Sequence, residues 1–140
     1  MKRIFNTILI ALAMVFGASS ASYAQCDTIY SICSDHVSAD FISDGQAYRA
    51  LLSGDQIAEF SATFYGGSTY RIAACSGFTE GNLIFSIYDR DHNMLYSNSE
   101  YKNAPYWDFK FENTIDCTIE AQLNSTNVKS GCAVLAIGFK

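Results

Sequence analysis

The chain lacks an apolar run long enough to cross a bilayer as a helix. Its longest, Ile4 to Phe16, falls short of the roughly 20 residues a spanning helix needs, so no membrane span is expected. It has no CxxC pair, and neither of its two histidines, His36 and His92, lies beside a cysteine doublet. A zinc site is therefore not expected, nor any other metal or cofactor. No serine or cysteine is tied to either histidine by motif, and the carboxylates sit singly in turns or on solvent-facing strand positions, so no catalytic residues can be assigned. A small exported hydrolase is the disfavoured alternative. Positive charge is scarce as well, nine basic against fourteen acidic residues with no charge run, a balance that repels nucleic acid and anionic lipid.

What is present begins with a leader. Lys2 and Arg3 precede the apolar run, and small residues follow through Ala24, the pattern of a secretory signal peptide over 1–24 cleaved to leave Gln25 first. Its removal takes two basic residues and no acidic ones, leaving seven against fourteen and a net charge of −7. The remaining 116 residues suit a single domain with one core, 25–140, expected to be periplasmic or secreted.

From Cys26 to Ala39 the apolar positions Cys26, Ile29, Tyr30, Cys33 and Val37 recur at helical spacing, with Asp27 placed to favour a helix N-terminus. This predicts a short helix within an N-terminal arm over 25–44. Beyond the Asp44-Gly45 turn the pattern changes to alternation. Tyr48 to Leu52 reads as a first strand, and Ile57 to Cys75 as two strands joined in a hairpin at Gly66 and Gly67, both glycines supplying positive φ. Leu83 to Tyr88 is apolar enough to be central in its sheet, and the turn from Asp89 to Asn93 leads into Met94-Leu95-Tyr96. Trp107, Phe109 and Phe111 alternate with charged residues, and two further runs repeat the pattern through Ile119, Ala121 and Leu123 and through Ala133 to Phe139. About eight short strands with turns between them predict an all-β fold, an antiparallel, jelly-roll-like β-sandwich with a short helical arm.

Three segments resemble the bacterial pre-peptidase C-terminal domain, a small β-sandwich appended to secreted proteases. They are Glu59-Phe60 through Phe64 with Gly67 to Ile72, Leu83 to Asp89 with Asn93 in its turn, and Ser130-Gly131-Cys132-Ala133-Val134-Leu135. The resemblance spans roughly 57–139 and implies a non-catalytic accessory or binding module. The cysteines of this chain are additional to that pattern.

Two clusters deserve weighing as binding sites. Asp89, Asp91 and Asn93 have calcium-loop spacing with Glu100 at the twelfth position, but Met94 stands where glycine is needed and strands flank the segment, so a solvated turn is expected. Tyr101, Tyr106 and Trp107 surround Pro105 and are the candidate ligand-binding residues, as an aromatic platform for a sugar ring. Against that, Trp107 continues the apolar face of Phe109 and Phe111 and is expected to be buried. The functional expectation is an exported, non-catalytic binding or structural module, with carbohydrate the first ligand to test and an envelope protein the second.

The five cysteines, at 26, 33, 75, 117 and 132, survive leader removal, and their odd number leaves at least one unpaired within the chain. Seven helical residues place Cys26 and Cys33 about 10 Å apart, too far for a local bond. Strand parity sets Cys75 and Cys132 away from the core and Cys117 toward it. Cys75 with Cys132 is therefore the favoured disulfide, and Cys75 with Cys117 the runner-up.

Overall fold

In the computed structural model, residues 21–140 are described, with side chains from Gln25 onward. The leader predicted over 1–24 lies for the most part outside the described residues. Helix α1 spans Ala21–Ser38, and nine strands follow: β1 Ile42–Ser43, β2 Tyr48–Ser53, β3 Ile57–Phe64, β4 Thr69–Cys75, β5 Leu83–Tyr88, β6 Met94–Ser97, β7 Tyr106–Lys110, β8 Ile115–Leu123 and β9 Ser130–Phe139. A 3₁₀ turn, Asn98–Tyr101, separates β6 from β7. Sheet I runs β1–β9–β4–β7, with β2 also paired to β9, and sheet II runs β3–β8–β5–β6. Every pairing is antiparallel. The predicted sandwich is the observed architecture.

Alternation builds the core between the sheets. Ile72 and Ala74 of β4, Leu135 and Ile137 of β9, Phe85 and Ile87 of β5 and Ile119 and Ala121 of β8 point inward and are buried. Their neighbours in sequence point outward. As predicted, β5 lies inside its sheet, flanked by β8 and β6.

The hairpin expected at Gly66-Gly67 does not form. β3 pairs with β8 over its whole length, from Ile57↔Gln122 to Phe64↔Ile115, whereas β4 lies between β7 and β9 in the other sheet. The connection is a crossing from sheet II to sheet I. Two strands that face one core from opposite sheets show the same alternation as two strands of one hairpin, so periodicity cannot separate the cases. The two glycines also differ in role. Gly67 has φ +89°, but Gly66 is needed for close approach, since a Cβ there would stand 2.7 Å from the Glu112 carbonyl oxygen.

A second apolar layer lies on the outside of sheet I. Cys26, Ile29, Cys33 and Val37 form one face of α1, each at most 2 % exposed, and cover Ala73 of β4 and Val134 and Ala136 of β9. The helix begins upstream of the predicted start, so Asp27 is not in its first turn; it pairs with Arg49 of β2 at 2.6 Å. This layer decides the disulfides. Cys75 and Cys132 do point outward, but the thiols that reach them belong to α1: Cys26 bonds Cys132 and Cys33 bonds Cys75. The favoured Cys75–Cys132 bond and its runner-up with Cys117 are therefore both replaced. Within the sheet Cys75 stands opposite Val134 and Cys132 opposite Leu51, so the two outward cysteines are out of step with each other. Cys117 is the unpaired thiol, buried in the intersheet core.

Candidate functional site

A break in the edge of sheet I creates a cleft. β1 pairs with the end of β9 (Ile42↔Phe139, Ser43↔Gly138) and β2 with its beginning, as far as Tyr48↔Leu135. The residues between them, 44–47, turn outward, anchored where the Asp44 amide donates to the Ile137 carbonyl at 3.0 Å. The gap opens between this turn, edge strand β3 and the 65–70 crossing, forming a cleft of about 560 Å³. Such a volume falls within the range of about 300–1,000 Å³ usual for ligand clefts.

Asp44 is the charged residue of its lining, and no basic side chain lines it. Its Oδ1 accepts from the Gln46 amide at 2.9 Å and its Oδ2 from the Tyr48 hydroxyl at 3.0 Å. Burial raises the Asp44 pKa against these two bonds, which act to lower it. Burial, then the facing Asp44 carboxylate, pushes the Tyr48 hydroxyl well above its ordinary range, so it stays protonated and donates. The Tyr30 hydroxyl of α1 donates to the Gln46 carbonyl at 3.0 Å, tying the turn to the helix.

The far wall is aromatic. Phe64 meets Tyr70 edge to face at 4.9 Å, and the Tyr70 hydroxyl accepts from the Tyr65 amide at 3.0 Å. Gly66 donates to the Thr114 hydroxyl and Gly67 to the Phe111 carbonyl, which fixes the crossing on the β7–β8 connection. Tyr65 stands at the rim, 63 % exposed, and Phe139 is partly exposed beside it. A hydrogen-bonded crossing thus presents an exposed aromatic ring along the same cleft that Asp44 lines.

The three aromatic residues predicted as a platform are divided between the two faces of β7. Trp107 points inward, half-buried, against Tyr96 at 5.4 Å and Tyr101 at 4.5 Å. Tyr106 points outward, where its ring stacks on the Arg71 guanidinium at 4.6 Å and lies 5.4 Å from the His36 ring. Successive strand residues take opposite faces, so no surface can use all three.

The remaining candidates are occupied locally. Asp89 Oδ1 accepts from the Asp91 and Asn93 amides, and its Oδ2 from the Asn93 side chain, closing the β5–β6 turn. Among the described residues no group of three or more His, Cys, Asp or Glu side chains is arranged to hold a metal ion. His36 faces Glu80 at 3.5 Å, and His92 stacks on Tyr88 at 4.4 Å. No helix among the described residues is long and apolar enough to cross a membrane.

Sequence reasoning passed over the cleft and also Asn98. Asn98 is fully buried; its side chain accepts from the Phe85 amide and donates to the Leu83 and Ala104 carbonyls, holding the β6–β7 connection against β5. Asp44 was legible as a turn residue, but its place in a cleft depends on a gap in strand pairing.

No family model matches the chain, and no curated protein matches its sequence. Among solved structures it is similar to that of Aeromonas hydrophila PliG, a periplasmic lysozyme inhibitor of g-type lysozyme, with a TM-score of 0.54 over 72 % of this chain and 89 % of that one. At 10 % sequence identity, the likeness is one of fold.

Proposed function

We propose that the chain is an exported, non-catalytic protein-binding module that engages a folded partner at the rim of the 44–48 cleft. The observation that carries this reading is the cleft itself: an interrupted sheet edge flanked by a hydrogen-bonded crossing that holds Tyr65 out in solvent. Exposed tyrosine beside a concave surface is characteristic of protein interfaces, because the ring gives large contact area at low entropic cost. The fold shared with a periplasmic inhibitor of g-type lysozyme makes an enzyme that attacks envelope glycans the first partner class to test. The leader expected from the sequence and the two disulfides favour an oxidising compartment, periplasmic or secreted. The resemblance to pre-peptidase C-terminal domains points to the same class, a module that binds and does not catalyse.

The test is inhibition of a g-type lysozyme, measured as the rate of cell-wall clearing, by the exported chain and its Tyr65→Ala variant. The expected result is inhibition that weakens at least about tenfold in Tyr65→Ala, the loss typical of a central interface aromatic. Absence of inhibition, together with glycan binding that depends on Tyr101, would instead support the carbohydrate reading.

A further inference from the structure

Resting on that reading, we infer that the cleft contains a subsite for an arginine side chain of the protein partner, with Asp44 as its anion and the surrounding rings as its walls. Each Asp44 oxygen receives one hydrogen bond from the chain itself, from Gln46 and from Tyr48. A carboxylate has about four acceptor sites, so each oxygen keeps one free. None of the ion pairs among the described residues uses Asp44. The chain thus holds a partly buried carboxylate in a cleft without a cation of its own, and burial already disfavours its charged form.

A guanidinium fits this gap better than an ammonium. Its planar fork can donate to both carboxylate oxygens at once, and its faces stack on aromatic rings. Tyr65 and Phe139 supply exposed rings along the same cleft, backed by the buried Tyr70. The net negative charge of the chain adds a weaker, longer-range attraction for a basic partner. The chain itself provides an example of this chemistry at another place: Arg71 forks onto Asp108 while lying between the rings of Phe41 and Tyr106. The cleft offers the same two kinds of group, a carboxylate and exposed rings, along one lining.

The experiment titrates the exported chain with N-acetyl-arginine amide and with the neutral isostere N-acetyl-citrulline amide, following backbone NMR shifts. The arginine probe should move Gly45, Gln46 and Tyr65, and the citrulline probe should bind at least about tenfold more weakly. Asp44→Asn should abolish that preference. Equal binding of the two probes, or arginine shifts located away from the cleft, would overturn the subsite; because both probes are used on the unmodified chain, this outcome does not depend on the variant folding. Lysozyme inhibition gives the second arm, in which Asp44→Asn should weaken inhibition by about 30-fold. If Asp44→Asn inhibits as well as the parent while Tyr65→Ala does not, the subsite is wrong and the protein-binding reading stands. Arginine-selective binding at the cleft without lysozyme inhibition supports the subsite and removes that enzyme as the partner.

Discussion

The two apolar layers of this protein are built differently. Between the sheets, large side chains interlock: Phe64, Phe85, Ile72, Ile87, Ile119 and Leu135 are each at most 1 % exposed, and Phe64 stacks on Phe111 at 4.7 Å. Under the helix, sheet I presents Ala73, Val134 and Ala136, and at Gly138 it has no side chain at all. Buried apolar area stabilises in proportion to its size, about 1.5–3 kcal/mol for a large side chain, so a layer floored by alanines gains little from each residue. What the helix layer lacks in volume it replaces with specific fastenings. Two disulfides cross it, and Arg71 forks onto Asp108, donates to the His36 carbonyl near the end of the helix and lies over Phe41. Close approach of the helix requires small residues, and small residues in turn require the fastenings.

Removing a fastening gives the largest expected effect. The Cys26–Cys132 bond joins residues 106 apart in sequence, and in the chain-entropy model a loop of that length contributes about 4–5 kcal/mol. The double variant Cys26→Ala/Cys132→Ala should lower the unfolding free energy in urea by about that amount, and a loss below about 1 kcal/mol would mean that helix packing suffices alone. On the β6–β7 connection, Asn98→Ala should cost about 3 kcal/mol, because it removes the partner of the buried Phe85 amide and of the Leu83 carbonyl and frees the part-buried Ala104 carbonyl. Helix CD and Trp107 fluorescence should then be lost in one transition; separate transitions would show the layers to be less coupled than their shared sheet implies.

Smaller changes sharpen the contrast. Gly138→Ala places a Cβ 2.9 Å from the Phe41 Cβ and closer still to Val37, and should cost about 2 kcal/mol by overpacking. Amide exchange should speed up in the last turn of α1 and leave β5 and β8 protected; uniform loss of protection would contradict a local effect. Asp108→Asn should cost no more than about 1 kcal/mol, since the Asp108 side chain is well exposed. Its hydrogen bonds from Arg71 hold the Asp108 pKa below the ordinary carboxylate range, so the stabilisation is fully present above about pH 4 and is lost as pH falls through the folded-state value. The urea midpoints of parent and variant should therefore converge in strong acid, and a gap independent of pH would assign the effect to packing. Least disturbing is a probe of Cys117, whose thiol is pushed up to about 11, first by burial and then by Asp89 and Asp116. A thiol reagent should find no reactive cysteine in the native protein and one after unfolding in urea; rapid native-state reaction would place Cys117 outside the core.

Alternation alone determined most of the strands, the inward set on each and the outward phase of Cys75 and Cys132, because these follow from the two-residue repeat of an extended chain. Helical spacing likewise marked Cys26, Ile29, Cys33 and Val37 as one buried face. Only the tertiary structure decided which sheet each strand joins, since β3 and β4 have the same pattern whether they pair with each other or face each other across the core. It also decided that the outward cysteines meet a helix instead of one another, because a partner approaching from above the sheet leaves no trace in strand parity. The cleft depends on the same kind of information: the 44–48 turn, Tyr65 and Phe139 are far apart in the chain, and they come together because β1 and β2 cover different lengths of β9 and leave an opening between them.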